Sequence, residues 1–208
     1  MIALMNVENI LSSGGLLVLG AIVFAESGLL VGFFLPGDSL LFIAGFLASE
    51  AGGNILPGLP WVMLVAASMA VIGDQVGYLF GRKVGPAVFN KPKSRLFDPA
   101  HVARANAFFE KHGPRTIVLA RFVPIVRTFA PVVAGVGHMD YRTFVRYNVI
   151  GGLLWGAGVP VLGYFLGQID IVKEHIEIAI IVIVLVSLLP VILEAVKHRR
   201  ASRAESRS

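Results

Sequence analysis

Two stretches decide the fold: Glu26-Ser-Gly-Leu-Leu-Val-Gly-Phe-Phe-Leu-Pro36-Gly37-Asp38 and Arg121-Phe-Val-Pro124-Ile-Val-Arg127-Thr-Phe-Ala-Pro131. Each sets proline beside charge in the middle of an apolar run. An ionised side chain near the centre of a bilayer costs about 2.5–3.5 kcal/mol on insertion scales, so it is seldom there without a partner or a task. The first stretch carries acids, Glu26 and Asp38, and the second carries bases, Arg121 and Arg127, so each holds the partner of the other. Irregular backbone at membrane depth is tolerated only where protein or a water-filled cavity supplies hydrogen bonds. Residues 16–48 and 116–139 therefore read as inward-facing re-entrant hairpins, with Pro36, Gly37, Pro124 and Pro131 marking the breaks. The competing reading of the second is a single proline-kinked span. In the first, residues 16–35 could cross fully before a short re-entrant piece.

The rest of the chain supplies the setting. Its 208 residues are 56% hydrophobic and 15% charged, and the mean hydropathy is +0.78, far too apolar for a soluble domain and in keeping with one integral membrane domain, 1–208. Runs 61–81, 144–167 and 176–196 are each close to the ~20 residues that cross the hydrocarbon core. Cysteine is absent, which excludes disulfides, thiolate chemistry and cysteine metal sites. The N-terminus lacks the basic n-region of a secretory signal, so the first apolar stretch is expected to stay in the mature protein.

Charge placement orients the chain. The first basic residue is Arg82, after Glu8, Glu26, Asp38, Glu50 and Asp74; bases then crowd positions 82–115, and Lys197, Arg199, Arg200, Arg203 and Arg207 form a basic tail, 197–208. The positive-inside rule puts both clusters, and hence the C-terminus, on the cytoplasmic side, and leaves the side of the N-terminus open. Arg142 and Arg146 follow the second broken stretch, so both its ends are cytoplasmic and its crossings even in number, as a hairpin requires. Basic tails anchor helices at anionic headgroups; no recognition motif accompanies this one, so nucleic acid is not an expected partner. Within the connection, 83–115, Asp98 and Pro99 can start a helix and Gly113 can end it. Val102, Ala105, Phe108 and Phe109 form an apolar face that would lie along the membrane surface.

An internal repeat supports the hairpins. Phe34-Leu-Pro36 matches Phe122-Val-Pro124, Ala44-Gly45 matches Ala134-Gly135, and Gly77-Tyr-Leu-Phe-Gly81 matches Gly163-Tyr-Phe-Leu-Gly167. Each copy, about 16–82 and about 116–168, is a hairpin plus one span. A unit that crosses once must insert its next copy upside down, the inverted-repeat plan of many transporters. The expected fold is thus all-α and integral to the membrane: two inverted units plus one C-terminal span, 176–196. Glycines at every fourth residue, Gly73, Gly77 and Gly81 with Gly163 and Gly167, permit close packing within one chain or between two copies in a homo-oligomer.

The charged residues suggest a chemistry. Arginine keeps its charge and presents a planar fork suited to phosphate oxygens, so Arg121 and Arg127 are candidate headgroup ligands. Glu26 and Asp38 can instead be neutralised by a proton. Carboxylates would pair with the arginines in the empty site and yield to an anionic phosphate as one acid takes a proton; Asp74 is a further candidate for proton coupling or a local partner in its bundle. The bland alternative is a permanent set of ion pairs clasping the hairpins. Catalysis fits poorly. His101, His112, His138, His175 and His198 lack metal-ligand spacing, no phosphate-cradling loop with Lys-Ser/Thr occurs, and a lipid-phosphate phosphatase would need a histidine nucleophile or metal-binding acids beside the arginines. No enzyme activity, metal or cofactor is expected.

The Glu26 segment with Phe-Leu-Pro-Gly-Asp, then Gly73-Asp-Gln-Val-Gly-Tyr-Leu-Phe-Gly-Arg82, then the stretch from Arg121 through Gly135 to Met139, Asn148 and Trp155, resembles the DedA family, related to the VTT or SNARE-associated domain proteins. The resemblance covers roughly residues 15–167. It implies an inner-membrane lipid transporter that recycles undecaprenyl phosphate or moves phospholipids at the expense of the proton motive force, with the family's functional acids and arginines at Glu26, Asp38, Arg121 and Arg127. Two other readings stay beside a lipid flippase: a proton-coupled transporter of a small ion or solute in membrane-potential or pH homeostasis, and a scaffold. Lipid transport predicts a lateral opening; solute transport predicts a closed aqueous path.

Overall fold

The computed structural model describes residues 2–28, 37–89, 109, 113–122 and 124–170. Among these every regular element is helical: α1 (Ile2–Gly28), α2 (Gly37–Leu47), α3 (Leu59–Phe89), α4 (Thr116–Ala120), α5 (Pro124–Val136) and α6 (Tyr141–Leu166). Pro36, the last expected span, the basic tail and most of the connection lie outside the described residues. Of that connection, Gly113 adopts φ 67° and its N–H reaches the Phe109 carbonyl at 2.7 Å, the left-handed geometry with which glycine ends helices.

Two helical stretches, Leu59–Val84 and Tyr141–Leu166, are long and apolar enough to cross a membrane, and three apolar stretches are shorter: Gly14–Gly28, Gly37–Leu47 and Val126–Val136. At 1.5 Å per residue, the 11 residues of α2 and 13 of α5 reach about half to two-thirds of the ~30 Å hydrocarbon core. α1 is two helices joined at Gly15, whose φ of 55° breaks the run. Asp140 starts α6: its carboxylate accepts from the backbone N–H and the hydroxyl of Thr143, each at 2.9 Å. Those bonds hold this exposed acid below the ordinary carboxylate range.

α3 is the scaffold, packed against α1, α5 and α6, while α2 docks on α6 and α4 bridges to it. The short helix of each broken stretch thus rests on the long helix of the other half. These docks are closed by glycine. A Cβ on Gly163 would overlap the Phe42 carbonyl and one on Gly45 the Pro160 carbonyl; likewise Gly81 lies against the Val132 carbonyl and Gly135 against that of Tyr78. The two contacts correspond pairwise, with Gly163 standing where Gly81 stands rather than where the sequence match puts Gly77. The glycine faces close on helices of their own chain. Gly163→Ala should therefore push α2 from α6, a backbone clash costing about 1–3 kcal/mol, read as a lower melting temperature in detergent; Gly158→Ala, with nothing near its Cβ, should be neutral.

Pro131 corrects an expectation. It does not break the second stretch but lies inside α5, buried against α3 beside Gly77. Packing around a membrane helix tolerates such a proline. Pro124 instead begins α5, where its missing N–H costs the helix nothing, and Gly37 begins α2, its N–H taken by the Glu26 carboxylate.

The surface is inverted relative to a soluble protein. Trp61, Leu64, Leu79 and Phe80 of α3, and Leu153, Leu154, Leu162 and Phe165 of α6, are exposed, whereas Glu26, Asp74, Arg121, Arg127 and Asn148 are buried. An apolar exterior around a charged interior is what a bilayer solvent selects.

Candidate functional site

Two ion-pair clusters occupy the interior. In the first, the Arg127 fork spans two acids: Nη2 bonds Glu26 Oε1, and Nη1 donates to Asp38 Oδ1 at 2.8 Å. Glu26 is 0% exposed and meets the start of α2, where the Gly37 N–H donates to its Oε1 at 3.3 Å. Its carboxylate fills the space a Cβ would take at Gly37, so the glycine of Pro-Gly-Asp is what lets the acid reach the helix terminus. That terminus carries partial positive charge and free N–H groups, which favour an anion. Trp155 completes the cluster: its indole Nε1 donates to Asp38 Oδ1 at 2.7 Å, and its ring lies 4.9 Å from the Arg127 guanidinium carbon, a cation–π distance.

The second cluster centres on Arg121. Its Nη2 donates to Asp74 Oδ2 at 2.5 Å and to Asn148 Oδ1 at 2.5 Å, and more weakly to the Ala70 carbonyl at 3.3 Å. The Asn148 amide in turn donates to the Val71 carbonyl at 3.1 Å, tying α6 to α3. The aliphatic arm of Arg121 crosses α6 at Gly151, where a Cβ would approach its Cδ to 2.9 Å.

Glu26, Asp38 and Arg127 are drawn together by pairing across the two halves, while Arg121 pairs with Asp74 instead. Trp155 and Asn148 complete the clusters, and neither was singled out as a site residue by sequence reasoning. Both left a signal: Asn148 is an amide in an apolar helix, and Trp155 is one of only two tryptophans. Among the described residues no three His, Asp or Glu side chains converge as a metal ion would need.

Beside the first cluster lies a cavity of about 190 Å³. Asp38 and Trp155 line its inner end, and the remaining walls are apolar.

Helices with an apolar exterior and ion pairs buried in the interior define a helical membrane protein. The chain belongs to the DedA family of VTT-domain membrane proteins. The VTT domain matches residues 35–165, and "Protein DedA" of Escherichia coli K12 is 48% identical over 185 residues, 89% of this chain and 84% of that protein. "Uncharacterized membrane protein ML0287" of Mycobacterium leprae is 46% identical over 188 residues, 90% and 82% of the two chains. "Inner membrane protein YghB" of E. coli K12 is 35% identical over 158 residues, 76% and 70%. No solved structure matches the chain.

Proposed function

We propose that the protein is a lipid translocase of the bacterial cytoplasmic membrane, carrying a lipid with a phosphate-bearing head, undecaprenyl phosphate or a phospholipid, in exchange with protons. One observation carries the reading: the seat formed by the Arg127 fork and the first turn of α2 is occupied by a side-chain carboxylate, that of Glu26. A site that holds one anion by a guanidinium and a helix terminus has the chemistry to hold another, and phosphate suits both. The charge balance supplies the coupling. Two acids face one base in this cluster, so a phosphate arriving at Arg127 meets an excess of negative charge unless an acid takes up a proton. Glu26 and Asp38 are the proton carriers in this reading and Arg127 the headgroup ligand. Arg121 would reach a phosphate only by leaving Asp74 and Asn148; we assign that cluster to holding α3 and α6 around the site.

The inverted repeat belongs to the same proposal. α1–α2 and α4–α5 are the two re-entrant hairpins, α3 and α6 the spans, and the reciprocal glycine docks support the pairing. The basic tail places the C-terminus in the cytoplasm, and the relative named as an inner membrane protein favours that membrane.

The test is movement of labelled undecaprenyl phosphate, phosphatidylethanolamine and a small-ion control in proteoliposomes under an imposed proton gradient. A labelled lipid should move faster than in protein-free vesicles, and faster with the gradient than without. Transport of the ion alone, or of nothing, would overturn the proposal.

A further inference from the structure

The cavity at the first cluster opens sideways. Its inner end is Asp38 and Trp155, its sides are Phe42 and Val159, and its outer rim is Phe122, Leu162 and Leu166. All three rim residues are exposed, and Leu162 and Leu166 share that exposure with Phe165 on the apolar surface of α6, a helix long enough to span the bilayer. The cleft therefore leads from the bilayer to the ion pairs. Its 190 Å³ is well below the roughly 300–1,000 Å³ of pockets that enclose a whole small molecule, so it fits a length of chain better than a complete solute.

We propose that this cleft seats the hydrocarbon chain of a membrane lipid whose anionic head lies at Arg127, with the Trp155 indole as the partition between chain and head. The inference rests on the lipid-translocase reading and deepens it. Trp155 is suited to a boundary because its ring is apolar and its N–H polar: the ring faces the guanidinium, the N–H holds Asp38, and the side chain also lines the cleft. The competing occupant is the apolar segment 176–196 of the same chain. That segment could cover the rim, but its two acids, Glu177 and Glu194, stand at its ends, and the apolar run 178–193 between them brings nothing anionic to the charged inner end, whereas a phosphate-bearing lipid satisfies both ends at once.

The experiment uses Trp61→Phe, which leaves Trp155 as the sole tryptophan, in vesicles of phosphatidylethanolamine and phosphatidylglycerol whose acyl chains are brominated. Trp155 is buried, yet its fluorescence should be largely lost relative to unbrominated vesicles. Val159→Phe, which fills the cleft, and Leu162→Phe, which narrows its exposed rim with less risk to folding, should each restore it. Unchanged fluorescence on bromination overturns the proposal and leaves the cleft to the chain's own segment. Quenching equal in the filled variants also overturns it, as does quenching by aqueous iodide in place of brominated chains. Lipid transport is measured on the same vesicles. Transport without chain-dependent quenching defeats the cleft and spares the translocase; chain-dependent quenching without transport supports the cleft and defeats the translocase.

Discussion

Arg127→Gln should abolish lipid transport and lower stability by about 3–5 kcal/mol, the usual cost of removing one partner from a buried pair. The cost falls on what stays behind. Glu26 is fully buried and its second oxygen, Oε2, has no hydrogen-bond partner among the described residues, so without the guanidinium that carboxylate keeps, among them, only the Gly37 N–H. Asp38 retains the Trp155 indole and is part-exposed, at 20% for its side chain, so it contributes less to the loss. Neutralising the orphan should therefore repair the fold. Arg127→Gln with Glu26→Gln should recover most of the lost melting temperature, because two amides of similar shape replace the ion pair. Transport should not return, since the pair of amides offers no cationic fork to a phosphate. Recovery of both would make Arg127 a clasp and remove it from the transport cycle. Arg127→Lys gives an intermediate case: a single ammonium keeps the charge but does not reproduce the fork that reaches Glu26 and Asp38 from separate nitrogens.

Length and patterning made the spans legible. The runs at 61–81 and 144–167 fall in α3 and α6, because some twenty apolar residues without a break have one stable form in a bilayer. The broken stretches were legible too, since charge beside proline in apolar sequence needs a sheltered partner. Which arginine meets which acid was not. The spacing of Glu26, Asp38, Asp74, Arg121 and Arg127 along the chain permits several pairings; the choice follows from α5 docking on α3 and α2 on α6, contacts between distant segments. Pro131 misled for a related reason, because only its packing against α3 shows that the ring is accommodated inside a helix. The glycine match of Gly77 with Gly163 does not carry over to the contacts, in which Gly163 meets a facing carbonyl as Gly81 does, one turn on. A four-residue repeat reads the same from either glycine, and only the facing carbonyls of Phe42 and Val132 decide between them.

Asp74→Ala should cost about 3–5 kcal/mol as well, by orphaning a buried cation rather than a buried anion. Arg121 is 4% exposed, and its Nη2 takes Asp74, Asn148 and the Ala70 carbonyl together; with Asp74 gone, the acceptors left to that nitrogen among the described residues are neutral. The expected result is poor accumulation in the membrane and a lowered melting temperature in detergent. Replacing both partners, Asp74→Leu with Arg121→Met, should restore stability, as apolar side chains do for other buried pairs. Transport then decides between the two roles open to this cluster. If Asp74 and Arg121 only tie α3 to the start of the second half, the double variant should still move lipid and still respond to the proton gradient. If Asp74 carries a proton, or Arg121 grips the head, a stable but inactive protein results. The geometry favours the first outcome: three acceptors already crowd one nitrogen, the arm behind it lies against Gly151 of α6, and neither Arg121 nor Asp74 lines the lateral cavity, whereas Arg127 is bonded to Asp38, which does. A group already engaged on several sides, away from the cavity, is a poor first ligand for an incoming phosphate, whereas Arg127 needs only to exchange one anion for another.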